Sequence, residues 1–306
     1  MEFIEELRFL KEQMKFKEKV EVPRGISNIV IAGMGGSGIA AMIFQEFYSK
    51  LPVTWANDYR APDFVSESTL FIAISYSGNT EETLSATNQA IRKKAHVVTI
   101  SAGGKLQGIG TQHIAIPRTD MQPRSASGYM LIPILAGFGL FTELEADGAY
   151  KFLADLDADN AKCLAHAKAI YERSAIPVIY GSHPYKGVAY RWKTQFNENS
   201  KVLGYSNSFP ELNHNDTMAI AQTYLKDKFY FMAFESGLER ITKRIDVTQS
   251  ITGSRFATIK PKGSSDIERM FYLLHYGDYV SYHLGRLRGV DPTDVSLIEQ
   301  LKKNIA

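Results

Sequence analysis

The chain has 306 residues, 44% of them hydrophobic and 22% charged, with a formal net charge of +2. The scattered Lys and Arg exclude the clustered basic face of a nucleic-acid binder, and the lone Cys163 excludes a disulfide framework and a thiolate metal site. The longest apolar stretch, GYMLIPILAGFGLF at 128–141, falls short of the roughly 18 residues that a membrane span needs. A reducing cytoplasm suits such a chain, and its length suits one large α/β domain or two of about 150 residues each.

Taken in chain order, MEFIEELRFLKEQMKFKEK reads as a charged amphipathic helix, not an export signal. NIVIA (28–32) predicts a strand that leads through GMGGSG into a helix over IAAMIFQEFYSK, and VTWA (53–56) predicts a second strand. LFIAIS (70–75) leads through YSGNT into the helix TEETLSATNQAIRKK, with Asn79 the expected N-cap and Glu82 three residues on. HVVTIS (96–101) and HIAIP (113–117) add strands, and 128–141 reads as a buried helix kinked at Pro133.

The order repeats in the second half. IPVIYGS (176–182) precedes YKGVAYRWKTQFNEN, FYFMAF (229–234) precedes ESGLERITKRI, and RFATIKP (255–261) precedes IERMFYLLHYGDYVSYHLGRL. Short apolar runs alternating with helical patterns predict an α/β chain of two doubly wound domains, 1–150 and 151–306, each a mostly parallel sheet flanked by helices. Right-handed crossovers then gather the strand-to-helix turns at one edge of each sheet.

Two of those turns carry chemistry. Gly33, Gly35 and Gly38 spell G-x-G-x-x-G between a strand and a helix, and Asp58 follows about twenty residues on, as in a dinucleotide fingerprint with its ribose-binding acid. The same loop serves any phosphate that wants a helix N-terminus, and the glycines also permit plain strand–helix packing. The second loop separates these readings. It places Ser75, Ser77 and Thr80 around Gly78, with Gly36 and Ser37 available from the first loop. Converging hydroxyls and backbone N–H groups suit a compact monophosphate dianion better than a dinucleotide.

G-M-G-G-S-G followed by S-Y-S-G-N-T resembles the sugar isomerase (SIS) domain, and the chain resembles two such domains in tandem. With R-x-K-x-x-F-N-E-N, E-L-N-H-N and L-R-G-V-D-P, nearly all 306 residues resemble the archaeal-type bifunctional phosphoglucose/phosphomannose isomerase family. The resemblance implies a cofactor-free, metal-free aldose–ketose isomerase of hexose 6-phosphates, working through a cis-enediol.

Glu198, in QFNENSK, falls at the expected C-terminal end of its helix, where the dipole makes a carboxylate a better proton acceptor. By resemblance it is the base that moves a proton between C2 and C1. Arg124, in QPRSASGYM, stands before a helix that Ser125 could cap, an unfavourable end for a cation; by resemblance it stabilises the enediolate. His214, in a polar segment, matches the histidine that opens the sugar ring and reaches the site of the partner subunit in a homodimer. Lys302 matches a lysine linked to the same proton transfers. The family's bifunctional members carry a threonine seven residues before that lysine, where this chain has Val295. No H-E-x-x-H or H-x-H pattern supports a metal centre. The rival readings are a non-catalytic phosphosugar-sensing module and a nicotinamide oxidoreductase.

Overall fold

The computed structural model describes residues 1–222 and 224–305. The opening segment forms two short helices, α1 (Phe3–Arg8) and α2 (Leu10–Gln13), where one longer helix was expected. Phe3, Leu7, Leu10 and Met14 face the core, and the buried polar pair Glu6 and Gln13 faces the segment around residue 125.

The first half then runs β1 (Asn28–Ala32), α3 (Gly35–Phe47), β2 (Val53–Ala56), β3 (Thr69–Ile74), α4 (Glu81–Arg92), β4 (His96–Ser101) and β5 (Gln112–Ala115). A 3-10 turn over Pro123–Ala126 leads into α5 (Ser127–Gly137), which holds Pro133 in its interior. Next come α6 (Glu143–Ala158) and α7 (Ala161–Glu172). The second half has β6 (Ile176–Gly181), α8 (Lys186–Asn199), β7 (Tyr205–Ser208), α9 (Asp216–Gln222), β8 (Phe229–Phe234), α10 (Glu239–Thr252), β9 (Phe256–Ile259), α11 (Asp266–Leu287) and α12 (Ser296–Ile305). The expected boundary at 150/151 falls inside α6, which packs on α2 and on α11.

Both sheets are parallel throughout. The first has the order β2-β1-β3-β4-β5 and the second β7-β6-β8-β9, so the two share a reversal of strand order beside their first strands. Strand β3 is buried at every position, as a central strand covered on both faces must be, with Ile31 of β1 beside Ile72. Strand β7 escaped the sequence reading because YSNS is a four-residue edge strand without an apolar run.

One core joins the halves. Ile29, Ile31 and Ile72 from the first sheet and Ile179, Met232 and Phe234 from the second enclose a shared layer of α3, α5, α8 and α11. Helices α3 and α8 touch through Gly187, where a Cβ would sit 3.0 Å from Ile43 Cγ1. Smaller clusters cover the outer faces, Phe71 with Ala86 on one sheet and Tyr180 with Ile245 on the other. Among the described residues no helix is long and apolar enough to cross a membrane.

Candidate active site

The two glycine and hydroxyl loops follow β1 and β3, neighbouring strands on either side of the order reversal, where open α/β sheets form a crevice. Helix α3 begins so close to β1 that a Cβ at Gly38 would lie 2.7 Å from both the Gly33 carbonyl oxygen and the Trp55 ring. No side chain caps α3 or α4. Their first turns therefore present N–H groups and the positive end of the dipole toward the crevice.

The second loop is organised from within and from behind. Ser75 is buried; its Oγ lies 2.8 Å from Thr80 Oγ1 and 3.5 Å from Ser77 Oγ, and it accepts the Gly78 N–H at 3.1 Å. Asn79 is not the N-cap: Thr80 takes that position, and Asn79 Oδ1 accepts the Lys105 N–H at 3.0 Å. Gly78, at φ +68°, backs directly onto the Gly103 carbonyl, and Gly104, at φ +72°, onto that of Ser77. Only glycine fits this backbone-to-backbone contact. Ser37 is buried with its hydroxyl on Met130 Sδ at 3.2 Å, while Ser77 is exposed at the loop tip. Asp58, the expected ribose-binding acid, accepts the N–H of adjacent Tyr59 at 2.6 Å.

Arg124 lies against the first loop, since a Cβ on Gly36 would stand 3.4 Å from the Arg124 Cα. It is buried in the 3-10 turn, where Ser125 does not cap a helix but donates to Glu6 at 2.9 Å. Glu6 also accepts the Gln122 N–H at 2.8 Å, and Gln13 donates to the Ser125 carbonyl at 2.8 Å. The N-terminal helices thus brace the turn that aims Arg124.

Its guanidinium is held on every side. Nε donates to Asn199 Oδ1 at 2.8 Å, Nη2 to the Pro292 carbonyl at 2.6 Å, and Nη1 to Gln122 Oε1 at 3.1 Å. The Phe3 ring lies 5.2 Å from Cζ. Nη1 also stands 3.5 Å from Glu198 Oε2. The Glu198 side chain keeps 29% of its surface exposed against 4% for Arg124, so the carboxylate reaches solvent while its cation is fixed behind it. Burial pushes the Arg124 pKa down, opposed by the charges of Glu198 and Glu6. Behind it, the buried Arg191, paired with Asp278 at 3.1 Å, donates to the Arg124 carbonyl at 3.0 Å.

The residues expected from sequence therefore divide. Gly36, Ser37, Arg124 and Glu198 form one contiguous region, and Ser75, Ser77 and Thr80 occupy the neighbouring strand end. His214 lies exposed at the end of a 3-10 turn, and Lys302 is exposed on α12. Among the described residues, no hydrogen bond or ion pair joins either of them to Glu198 or Arg124. Val295 immediately precedes α12, and its carbonyl accepts the N–H groups of Ile298 and Glu299. Sequence reasoning missed Glu6, Gln13 and Asn199. Only Asn199 left a signal, as the last residue of the F-N-E-N segment.

Comparisons with known proteins give the site its context. Residues 157–305 match the family described as the bacterial phospho-glucose isomerase C-terminal SIS domain. A bifunctional phosphoglucose/phosphomannose isomerase of Thermoplasma acidophilum is 57% identical over 306 residues, spanning 100% of this chain and 98% of its own length. A protein of the same name from Thermoplasma volcanium is 53% identical, with 100% of both chains covered. Among solved structures, the C-terminal domain of glucosamine-fructose-6-phosphate aminotransferase from Francisella tularensis aligns with a TM-score of 0.68 at 15% identity. The alignment covers 94% of each chain and shows a shared fold.

Proposed function

The chain belongs to the family of bifunctional phosphoglucose/phosphomannose isomerases, and on that premise we propose that Glu198 and Arg124 are its proton-transfer pair. The enzyme is an aldose–ketose isomerase that interconverts glucose 6-phosphate and mannose 6-phosphate with fructose 6-phosphate. The observation that carries the assignment is the 3.5 Å approach of Arg124 Nη1 to a carboxylate that remains open to solvent.

In the forward direction the substrate phosphate rests on the uncapped starts of α3 and α4, with the Ser77 and Thr80 hydroxyls in reach. His214 assists ring opening, Glu198 takes the C2 proton as general base, and the electrons move onto O1 as the cis-enediolate forms. Arg124, already desolvated and oriented, stabilises that oxyanion without reorganising. O1 is then protonated and the C2 hydroxyl gives up its proton, an exchange in which Lys302 shares, and as the C2 carbonyl forms Glu198 returns its proton to C1. The phosphate loops belong to the first half of the chain and the base to the second, with α6 and α7 between them.

A homodimer completes this arrangement. Met218, four residues from His214 and 70% exposed, supports a second copy covering this surface. In this reading His214 reaches the partner's site, and its exposure at the end of the 3-10 turn supports that role. The single, buried Cys163 suits a reducing cytoplasm.

The test is turnover of fructose 6-phosphate by the purified protein, with glucose and mannose 6-phosphates measured as products, with and without EDTA. Loss of both activities in a folded Glu198→Gln variant supports the assignment. A Glu198→Gln variant with more than about a tenth of wild-type kcat overturns it.

A further inference from the structure

We propose that Lys201 is a positioning residue for this site: its ammonium ties the Asp291–Asp294 turn to the last turn of α8, fixing Glu198 opposite Arg124 and the tail helix beside them. The proposal rests on the reading of Glu198 as the base.

The last carbonyls of α8 have no helical partner. Lys201 Nζ donates to one of them, the Glu198 carbonyl, at 2.5 Å, and to the Asp294 carbonyl at 2.7 Å. One cation therefore joins the residue that carries the base to a turn that lies 93 positions beyond the lysine itself. The same turn is held a second time, by Arg124 Nη2 on the Pro292 carbonyl at 2.6 Å. The two cations that grip the turn are thus the one facing the Glu198 carboxylate and the one bound to the Glu198 main chain.

The local backbone argues that the ammonium is there for its contacts. Lys201 has φ +54°, in the left-handed region that glycine occupies freely and a lysine does not. A glycine would end α8 with less strain. The lysine main chain is held in that conformation because Arg288 Nη1 donates to the Lys201 carbonyl at 2.8 Å and also to the Ser200 carbonyl. With its backbone anchored to the end of α11, the side chain reaches the tail. Burial lowers the Lys201 pKa and the Arg124 charge adds to this, while Asp294 and Asp291 oppose it. The tail depends on such a link, since no residue of α12 is buried.

Lys201→Gly separates the positioning role from a purely structural one, because it relieves the backbone while deleting the ammonium. Wild type, Lys201→Gly and Lys201→Arg are compared as full-length proteins by unfolding, fructose 6-phosphate kinetics and amide hydrogen exchange. The expected Lys201→Gly protein unfolds at or above the wild-type midpoint. Its kcat falls about tenfold or more with KM within about threefold, and residues 291–305 exchange faster while 191–196 do not. Partial recovery of kcat in Lys201→Arg supports the same reading. A Lys201→Gly kcat within about twofold of wild type, or a loss confined to KM, overturns the positioning role. Unchanged exchange across 291–305 overturns the tether. Should wild type itself fail to isomerise fructose 6-phosphate, the isomerase reading falls, and the exchange comparison still decides the tether.

Discussion

Arg124 is a cation that local rules disfavour and the surrounding structure imposes. Its place before α5 opposes that helix's dipole, yet Asn199, Gln122 and the Pro292 carbonyl bind all three guanidinium nitrogens. Such a residue is expensive to leave unpaired, so Asn199→Leu should damage the site without touching substrate. The expected result is a kcat loss of tenfold or more, consistent with about 1.5–3 kcal/mol for a hydrogen bond to a charged group. Steady-state kinetics of a folded Asn199→Leu protein check this, and wild-type kcat would show that Arg124 needs no such support. The loop hydroxyls act differently. Thr80→Ala removes the partner of Ser75 Oγ at the start of α4, and by the same magnitude its KM for fructose 6-phosphate should rise about tenfold or more. An unchanged KM would place the phosphate elsewhere.

At the scale of elements, α6 is joined to its neighbours by one carboxylate. Asp157 accepts from His275 Nε2 and Tyr279 of α11, each at 2.7 Å, and from Lys11 of α2 at 2.8 Å. Burial pushes the Asp157 pKa up, but the hydrogen bond and charge of His275, with Lys11 and Tyr279, outweigh it, and the group lies below its ordinary value. A carboxylate depressed in the folded state contributes stability that is present above its unfolded pKa and lost as pH falls through the folded one. Asp157→Asn should therefore cost about 3 kcal/mol at pH 7, in the range for breaking a buried pair. The gap to wild type should narrow as pH falls below about 4. Urea unfolding of both proteins from pH 7 to pH 3 measures it; a gap independent of pH would show that packing, not charge, is what the substitution removes.

For the whole molecule, two predictions depend on more than one chain segment. If His214 serves the partner's site, Glu198→Gln and His214→Ala proteins, each inactive alone, should regain activity when unfolded and refolded together. Random pairing at equal amounts leaves about a quarter of the sites with both residues intact, by the symmetry of a twofold dimer. No recovery, with mixed dimers shown by mass spectrometry, would place His214 in its own subunit's site. The second concerns the C2 epimers, whose C2 hydrogens lie on opposite faces and must both reach one base. Val295 keeps the shape of threonine and loses its hydroxyl, worth about 0.5–1.5 kcal/mol. Mannose 6-phosphate should be the slower substrate by up to roughly tenfold, and Val295→Thr should narrow the difference in kcat/KM. An unchanged ratio would remove Val295 from the specificity argument.

The strands β1, β3, β4 and β8 and the helices α4, α8 and α11 were legible because their information is local. An apolar run marks a buried strand, and a helical period marks the helix that covers it. The phosphate loops were legible for the same reason, since glycines and hydroxyls between a strand and a helix announce a helix N-terminus open to a ligand. Glu198 could be placed at a helix end by counting alone. What surrounds these residues was decided by tertiary structure. Gly103 and Gly104 brace the second loop from 25 residues or more away in sequence, Glu6 and Gln13 support the Arg124 turn from the other end of the domain, and Pro292 closes it from near the C-terminus. Asn79 read as a cap until Lys105 claimed it, and Ser125 read as a cap until Glu6 did. Each is a polar group whose partner lies far along the chain, and a hydrogen bond of that kind exists only once the tertiary packing of the first half has brought the two segments together.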